Sequence, residues 1–281
     1  MYFSIFGAMI ESLILGLAQG LAEFLPISSS GHLVLGEHIL NMQQVGILFD
    51  VMLHFGTLLA VILVFRKKLW KLIVGCLKRD KEELRYALYI TIASIPTAII
   101  GLGFKDAIES LFESPRFVCY ALLVTGTFLF ATQWARTGSR HPEAQGVEMN
   151  WWRALIVGTI QGVACIPGIS RSGSTISSML FLGVNRKYAG EFSFLMSLPA
   201  VGGAALLAFI DWVKCRGAGD RIAECANSGN IDFALICGVV VAFVSGIIAL
   251  KWLLNFVQKG KLHYFSYYVW AVGILGLIFI R

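Results

Sequence analysis

Gln19 and Glu23 lie four residues apart, so on a helix they share one face. A carboxylate at the centre of a membrane-spanning helix costs about 2.5–3.5 kcal/mol on the insertion scale, and it therefore faces a partner or a wet cavity. The obvious partner is Arg171, a permanent cation between two serines in the apolar stretch "CIPGISRSGSTI" that begins at Cys165. Ser28, Ser29, Ser30 and His32 surround the carboxylate in "EFLPISSSGH", while Gly168, Ser170, Ser172, Gly173, Ser174 and Thr175 surround the arginine. Serine-rich, glycine-flanked breaks ahead of helix starts present free backbone N–H groups and hydroxyls, and with one guanidinium they suit a phosphate group. His32 adds a general base or a nucleophile. The same residue types also serve structure: a Glu–Arg pair can tie two segments together, and serines cap helices.

The elements that must position these groups are membrane helices. Of 281 residues, 57% are hydrophobic and 14% charged, where a soluble domain carries about 25% charged residues. Apolar stretches near the length that crosses a bilayer, about 20 residues, recur along the whole chain. They lack the polar face that helices of a soluble enzyme turn to water, so the composition predicts an all-α polytopic membrane protein. The net charge of +6 comes mostly from short basic loops and requires no nucleic-acid partner. The first residues, "MYFSIFGAMIESL", have no basic region and carry Glu11 in the apolar run, unlike a cleavable signal peptide.

Six plain spans are expected, at about 46–65, 86–104, 116–135, 188–210, 232–256 and 264–280, with Pro96 and Pro199 inside spans. Segments 4–44 and 151–184 differ, because each is interrupted by a Pro/Ser/Gly cluster. Irregular backbone cannot face lipid, so each break is buried in protein or lines a cavity. The two are copies. A shift of 142 residues aligns "LILGLAQGLAEFLPISSSG" from Leu13 with "LIVGTIQGVACIPGISRSG" from Leu155, with ten identities in nineteen positions. Cys165 occupies the place of Glu23, and Arg171 that of Ser29.

Basic residues set an orientation. Arg66, Lys67, Lys68, Lys71, Lys78, Arg79 and Lys81 make the first long loop cytoplasmic. Fourteen Lys and Arg then fall inside and six outside. Three crossings separate the copies, so they enter from opposite faces. The expectation is one integral membrane domain, 1–281, an inverted-topology repeat (about 1–135 and 150–281) with about six full spans and two re-entrant hairpins whose tips meet near the midplane. The "LWKLIVGCL" piece is too short to cross and reads as an interfacial helix.

At this point a resemblance can be stated. "QGLAEFLPISSSGH" resembles the [E/Q]-x-x-x-E motif and serine–glycine–histidine element of the bacterial undecaprenyl-diphosphate phosphatases, the bacitracin-resistance family. "PGISRSGST" is similar to that family's P-G-x-S-R-S-G-x-T signature, and "FDVMLHFGTLLAV" and "EFSFLMSLPA" resemble family segments in the expected order. The first motif position is Gln19, within the allowed pair. The resemblance implies hydrolysis of undecaprenyl diphosphate to undecaprenyl phosphate and inorganic phosphate, with a divalent cation, usually Mg²⁺, recycling the lipid carrier for peptidoglycan. It implies a catalytic, metal-associated Glu23 supported by Gln19, a hydroxyl–imidazole element of Ser28, Ser29 and His32, and a phosphate-binding Arg171 with Ser170, Ser172 and Thr175 in the same loop. It further implies a bacterial inner membrane protein opening to the periplasmic side, with the lipid substrate and membrane lipids as partners. A homo-oligomer is compatible with the sequence. The nucleophile stays open among His32, Ser29 and a water activated by His32 or Glu23.

The rival reading is a lipid-carrier transporter or flippase, since inverted repeats with broken helices are common there. Asp50 and His54, also four apart, and Glu191 are candidates for supporting or purely structural roles. None of the six cysteines has metal-ligand spacing, and Cys215 and Cys225 share a predicted outer loop in which a disulfide is one option.

Overall fold

The computed structural model describes residues 2–40, 47–135, 147–218 and 233–280. Those residues are helical throughout apart from turns and one isolated bridge, Val147 to Val184. Helix α1 (Tyr2–Phe24) stops at Leu25–Pro26, where the proline restricts the residue before it to extended backbone, and α2 (Ser29–Leu40) starts within the serine run. Then come α3 (Ile47–Val64), α4 (Arg66–Leu77), α5 (Lys81–Gly103), α6 (Lys105–Phe112) and α7 (Pro115–Ala131). The second half repeats the opening: α8 (Trp151–Val163), a break at "ACIPGIS", and α9 (Arg171–Phe181). It closes with α10 (Arg186–Ala218), α11 (Phe233–Gln258) and α12 (Tyr264–Phe279).

Among the described residues, four stretches are long and apolar enough to cross a membrane: Lys81–Gly103, Pro115–Trp134, Arg186–Leu207 and Phe233–Gln258. The other two expected spans form shorter apolar helices, Val51–Val64 within α3 and Tyr264–Phe279. Their outward faces are oily: Leu88, Ile95, Ile99 and Leu102 form an exposed stripe down α5, as do Val240, Val244 and Ile248 on α11. Such continuous exposed apolar surface suits lipid, not water. Helix α4 has another character, with Arg66, Lys67, Lys68 and Lys71 beside the exposed apolar Trp70, Ile73 and Leu77. That is the pattern of a helix lying along an interface. It is tethered to α5 by Lys71 Nζ to Glu83 Oε1 at 2.8 Å and by Lys68 over the Tyr86 ring. The Glu83 carboxylate holds the exposed Lys71 ammonium above its ordinary pKa.

The broken segments pack by exchange. Helix α1 lies along α11, and its counterpart α8 lies along α5. Both contacts need glycine. A Cβ on Gly16 would meet the Gly238 carbonyl oxygen at 2.3 Å, and one on Gly158, the matching residue, would meet the Ala93 carbonyl oxygen at 2.1 Å. Lipid tails are as apolar as leucine, so helix association here relies on close backbone approach and interhelical hydrogen bonds. The α5–α8 seam has both: Thr97 Oγ1 donates to the Gly158 carbonyl oxygen at 2.8 Å and accepts from Gln161 Nε2 at 3.2 Å. Gly158→Leu must push α8 off α5. We expect it to abolish recovery of monodisperse protein on size-exclusion chromatography, while Leu155→Ala on the exposed side of the same helix leaves recovery unchanged.

Candidate functional site

Phe24 points inward from the end of α1, 1% exposed, with its ring edge-on to Phe194 at 5.7 Å. Anchoring that side chain fixes the last helical turn and turns the adjacent Glu23 toward the breaks. The two breaks meet reciprocally. A Cβ on Gly31 would stand 3.1 Å from Gly168 Cα, and one on Gly173 would stand 3.2 Å from Pro26 Cβ. Under the 142-residue shift these are one contact made twice.

Each break ends in the same local device. Ser28 Oγ accepts from the Gly31 N–H at 3.3 Å, and Ser170 Oγ accepts from the Gly173 N–H at 3.1 Å, so both serines satisfy orphan donors of the following helix. Each hydroxyl also neighbours the serine two residues on: Ser30 at 3.4 Å and Ser172 at 3.5 Å. The copies differ in where the chain turns left-handed. The first uses Ser28, at φ 69°, and the second uses Gly168, at φ 90°. Gly168 corresponds to Pro26, whose ring forbids that conformation. Thr125 on α7 pins the second turn by donating to the Gly168 carbonyl oxygen at 2.8 Å and accepting from the Ser170 N–H at 3.1 Å.

Glu23 and Arg171 pair across the junction, Nη2 to Oε1 at 2.5 Å, with side chains 9% and 19% exposed. The other carboxylate oxygen, Oε2, accepts from Ser29 Oγ at 2.9 Å and from Gln19 Nε2 at 3.1 Å. His54 Nε2 lies 3.8 Å from it. This carboxylate therefore combines one strong ion pair with two hydrogen bonds, which offsets the cost of removing it from water. Arg171 spends one nitrogen on Glu23, while its planar fork carries five N–H donors suited to phosphate oxygens. Gln19 Oε1 is buried without a hydrogen-bond partner.

The structure thus brings together Gln19, Glu23, Ser29 and Arg171. His32 stands in a separate arrangement: Nδ1 lies 2.9 Å from the Ser28 carbonyl oxygen and Nε2 lies 2.9 Å from Tyr268 Oη. Ser172 Oγ reaches across to the Leu25 carbonyl oxygen at 3.4 Å, joining the breaks. Thr175 is fully buried, with its hydroxyl directed to the Arg171 carbonyl oxygen at 2.8 Å and to Ser193 Oγ at 2.6 Å, so it supports the α9 start from within. Cys165, in Glu23's place, is exposed, and Gln161 is turned to Thr97. Glu191 lies half-buried on α10. Glu11 is exposed on α1. The Asp50 side chain and the Cys215–Cys225 pairing lie outside the described residues.

Sequence reasoning missed Tyr268, Thr125 and Ser193. Thr125 and Tyr268 lie in no motif, on helices far in sequence from both breaks. Ser193 and His54 fall inside "EFSFLMSLPA" and "FDVMLHFGTLLAV", but neither segment says which group across the bundle its polar side chain meets.

A family model for "Bacitracin resistance protein BacA" matches residues 12–275. A protein named undecaprenyl-diphosphatase from Alkaliphilus metalliredigens (strain QYMF) is 42% identical over 282 residues, covering 96% of this chain and 98% of the relative. One of the same name from Desulfatibacillum aliphaticivorans is 42% identical over 286 residues, again covering 96% and 98%. A third, from Carboxydothermus hydrogenoformans (strain ATCC BAA-161 / DSM 6008 / Z-2901), is 40% identical over 269 residues, covering 95% and 96%. With nearly full-length matches on both sides, this chain belongs to the bacitracin resistance protein BacA family.

Proposed function

We propose that this chain is a membrane-embedded phosphatase that hydrolyses undecaprenyl diphosphate to undecaprenyl phosphate and inorganic phosphate, in the family to which it belongs. The observation that carries the assignment of the chemistry to a place is the Glu23–Arg171 pair joining the two helix breaks. Its product regenerates the lipid carrier used for peptidoglycan, which links the activity to bacitracin resistance.

In this reading the diphosphate enters beside Arg171. The part of the guanidinium fork not held by Glu23 and the amides at the starts of α2 and α9 neutralise its oxygens. Phosphoryl transfer needs mainly such positioning and charge neutralisation. Ser29, oriented by its bond to Glu23, and His32 stand as the nucleophile and base candidates, with a water activated by His32 or Glu23 as the alternative attacking group. Ser28, Ser30, Ser170 and Ser172 with Gly168 and Gly173 form the substrate-binding turns. Thr175 braces Arg171 from behind through its carbonyl oxygen.

The site suits a hard divalent cation such as Mg²⁺. Glu23 Oε2 and the unpartnered buried Gln19 Oε1 are oxygen donors on one helix face. Among the described residues no cluster of three His, Cys, Asp or Glu is present, and Mg²⁺ accepts so sparse a protein set because water and substrate phosphates complete its shell. When bound, the cation supplies neutralisation of charge developing on the diphosphate.

The fold supports an inverted-topology repeat, residues about 1–135 and 150–281 of one membrane domain, with α1–α2 and α8–α9 as re-entrant hairpins. The exchanged α1–α11 and α8–α5 packing supports that arrangement. The basic loop at Arg66–Lys81 belongs on the cytoplasmic side of the bacterial inner membrane, and the site opens to the periplasmic side. The prenyl tail lies among the spans, in contact with membrane lipids.

Purified full-length protein in detergent is expected to release phosphate from undecaprenyl diphosphate with Mg²⁺, to stop on EDTA addition and to resume when Mg²⁺ is restored in excess. No phosphate release, with prenyl diphosphate instead moved across a reconstituted bilayer, would favour a transporter.

A further inference from the structure

Tyr268 lies on α12, 236 residues after His32, yet its hydroxyl stands 2.9 Å from His32 Nε2, with the two rings parallel to within 6°. The other ring nitrogen settles the protons. Nδ1 lies 2.9 Å from the Ser28 carbonyl oxygen, and a carbonyl only accepts, so Nδ1 carries the hydrogen. In the neutral ring Nε2 is then the bare nitrogen, and Tyr268 O–H donates to it.

The Ser28 carbonyl reaches the ring because Ser28 adopts φ 69°, unusual for a residue other than glycine. That carbonyl also accepts the His32 backbone N–H at 3.2 Å, so one oxygen fixes both the helix start and the imidazole. A strained residue that persists at a site is held there by its surroundings. Here it aims an acceptor.

We infer that Tyr268 is a positioning residue for His32: the Ser28 carbonyl fixes the Nδ1–H tautomer, and the Tyr268 hydroxyl, donating to Nε2, holds the ring and its lone pair in place until substrate arrives. This rests on His32 taking part in the reaction as proposed above. Holding a base in one tautomer matters because the wrong tautomer presents N–H where a lone pair is required. Tyr268 also ties α12, the last element of the chain, to the first break, so the second half of the protein sets the protonation geometry of the first.

The test uses full-length, ¹⁵N-histidine-labelled protein in detergent, with the His32 resonances identified by comparison with His32→Ala. In the wild type, His32 is expected in the Nδ1–H form at a pH where it is neutral. In Tyr268→Phe, which keeps the ring but removes the hydroxyl donor, Nδ1 keeps its hydrogen, the Nε2 resonance moves to that of a lone pair without its hydrogen bond, and kcat for undecaprenyl diphosphate falls about tenfold or more with KM unchanged. In a His32→Ala background the same substitution has no further effect. An unchanged Nε2 resonance and kcat in Tyr268→Phe, or an equal loss with and without His32, overturns the inference. Wild-type turnover by His32→Ala would instead remove His32 from the reaction, and the Nε2 resonance alone would then report whether Tyr268 holds the ring.

Discussion

Glu23→Gln is expected to lower kcat/KM by about 10³-fold or more, an effect of the size seen when a charged group acting on a transferring phosphoryl is removed. The side chain keeps its shape but loses the charge that balances Arg171, the acceptor that orients Ser29 and the anionic oxygen offered to a cation. Breaking a buried ion pair from one side also destabilises, by about 3–5 kcal/mol in well-buried cases, and by less here because Arg171 keeps some exposure. The two effects separate by measuring phosphate release per monodisperse molecule alongside thermal unfolding. If the pair only ties the breaks together, the folded fraction of Glu23→Gln turns over normally. The double variant Glu23→Gln/Arg171→Met gives a second reading. Removing both charges is expected to recover much of the lost stability while leaving turnover absent. Recovery of turnover with stability would sink the site.

Arg171→Lys has the second-largest expected consequence for a change that keeps the charge. Lysine brings one compact ammonium where arginine brings a planar fork, and one nitrogen of that fork is already committed to Glu23. A lysine that pairs with Glu23 has no second rigid set of donors for the phosphate. Turnover is expected to fall about 10²-fold, with inhibition by inorganic pyrophosphate weakened about tenfold. Arg171→Lys with wild-type pyrophosphate inhibition would mean that the guanidinium does not contact phosphate. Because the Thr175 hydroxyl bonds the backbone carbonyl of residue 171 and not its side chain, the start of α9 stays formed, and the loss is one of chemistry rather than folding.

These outcomes bear on how an arginine comes to sit in an oily hairpin. Its surroundings are a mirrored surface: Gly31 against Gly168 and Gly173 against Pro26 bring the two breaks close enough for one side's carboxylate to meet the other's guanidinium. The divergence of the copies then makes the site. Had both copies kept the acid and the serine, the junction would carry two carboxylates and no guanidinium to pair with Glu23 or to meet an anion.

What the sequence determined by itself was local and periodic. Apolar runs of spanning length specify helices in lipid, Pro/Ser/Gly clusters interrupt them, and the 142-residue repeat links Glu23 to Arg171 before any fold is known. Gln19 beside Glu23 follows from four-residue helical spacing alone, and the interfacial character of α4 from its short length and basic run. These features are legible because each depends on neighbours in the chain. The tertiary structure alone decided the rest. Thr125 reaches the Gly168–Ser170 turn from α7, His54 approaches Glu23 from α3, and Tyr268 meets His32 from the far end of the chain. Each is one of a few polar groups on an apolar helix, and periodicity does not say which way that helix is rotated in the bundle. Rotation is set by packing, such as the backbone approach at Gly16 and Gly158, and only then does a hydroxyl or a ring nitrogen find its partner.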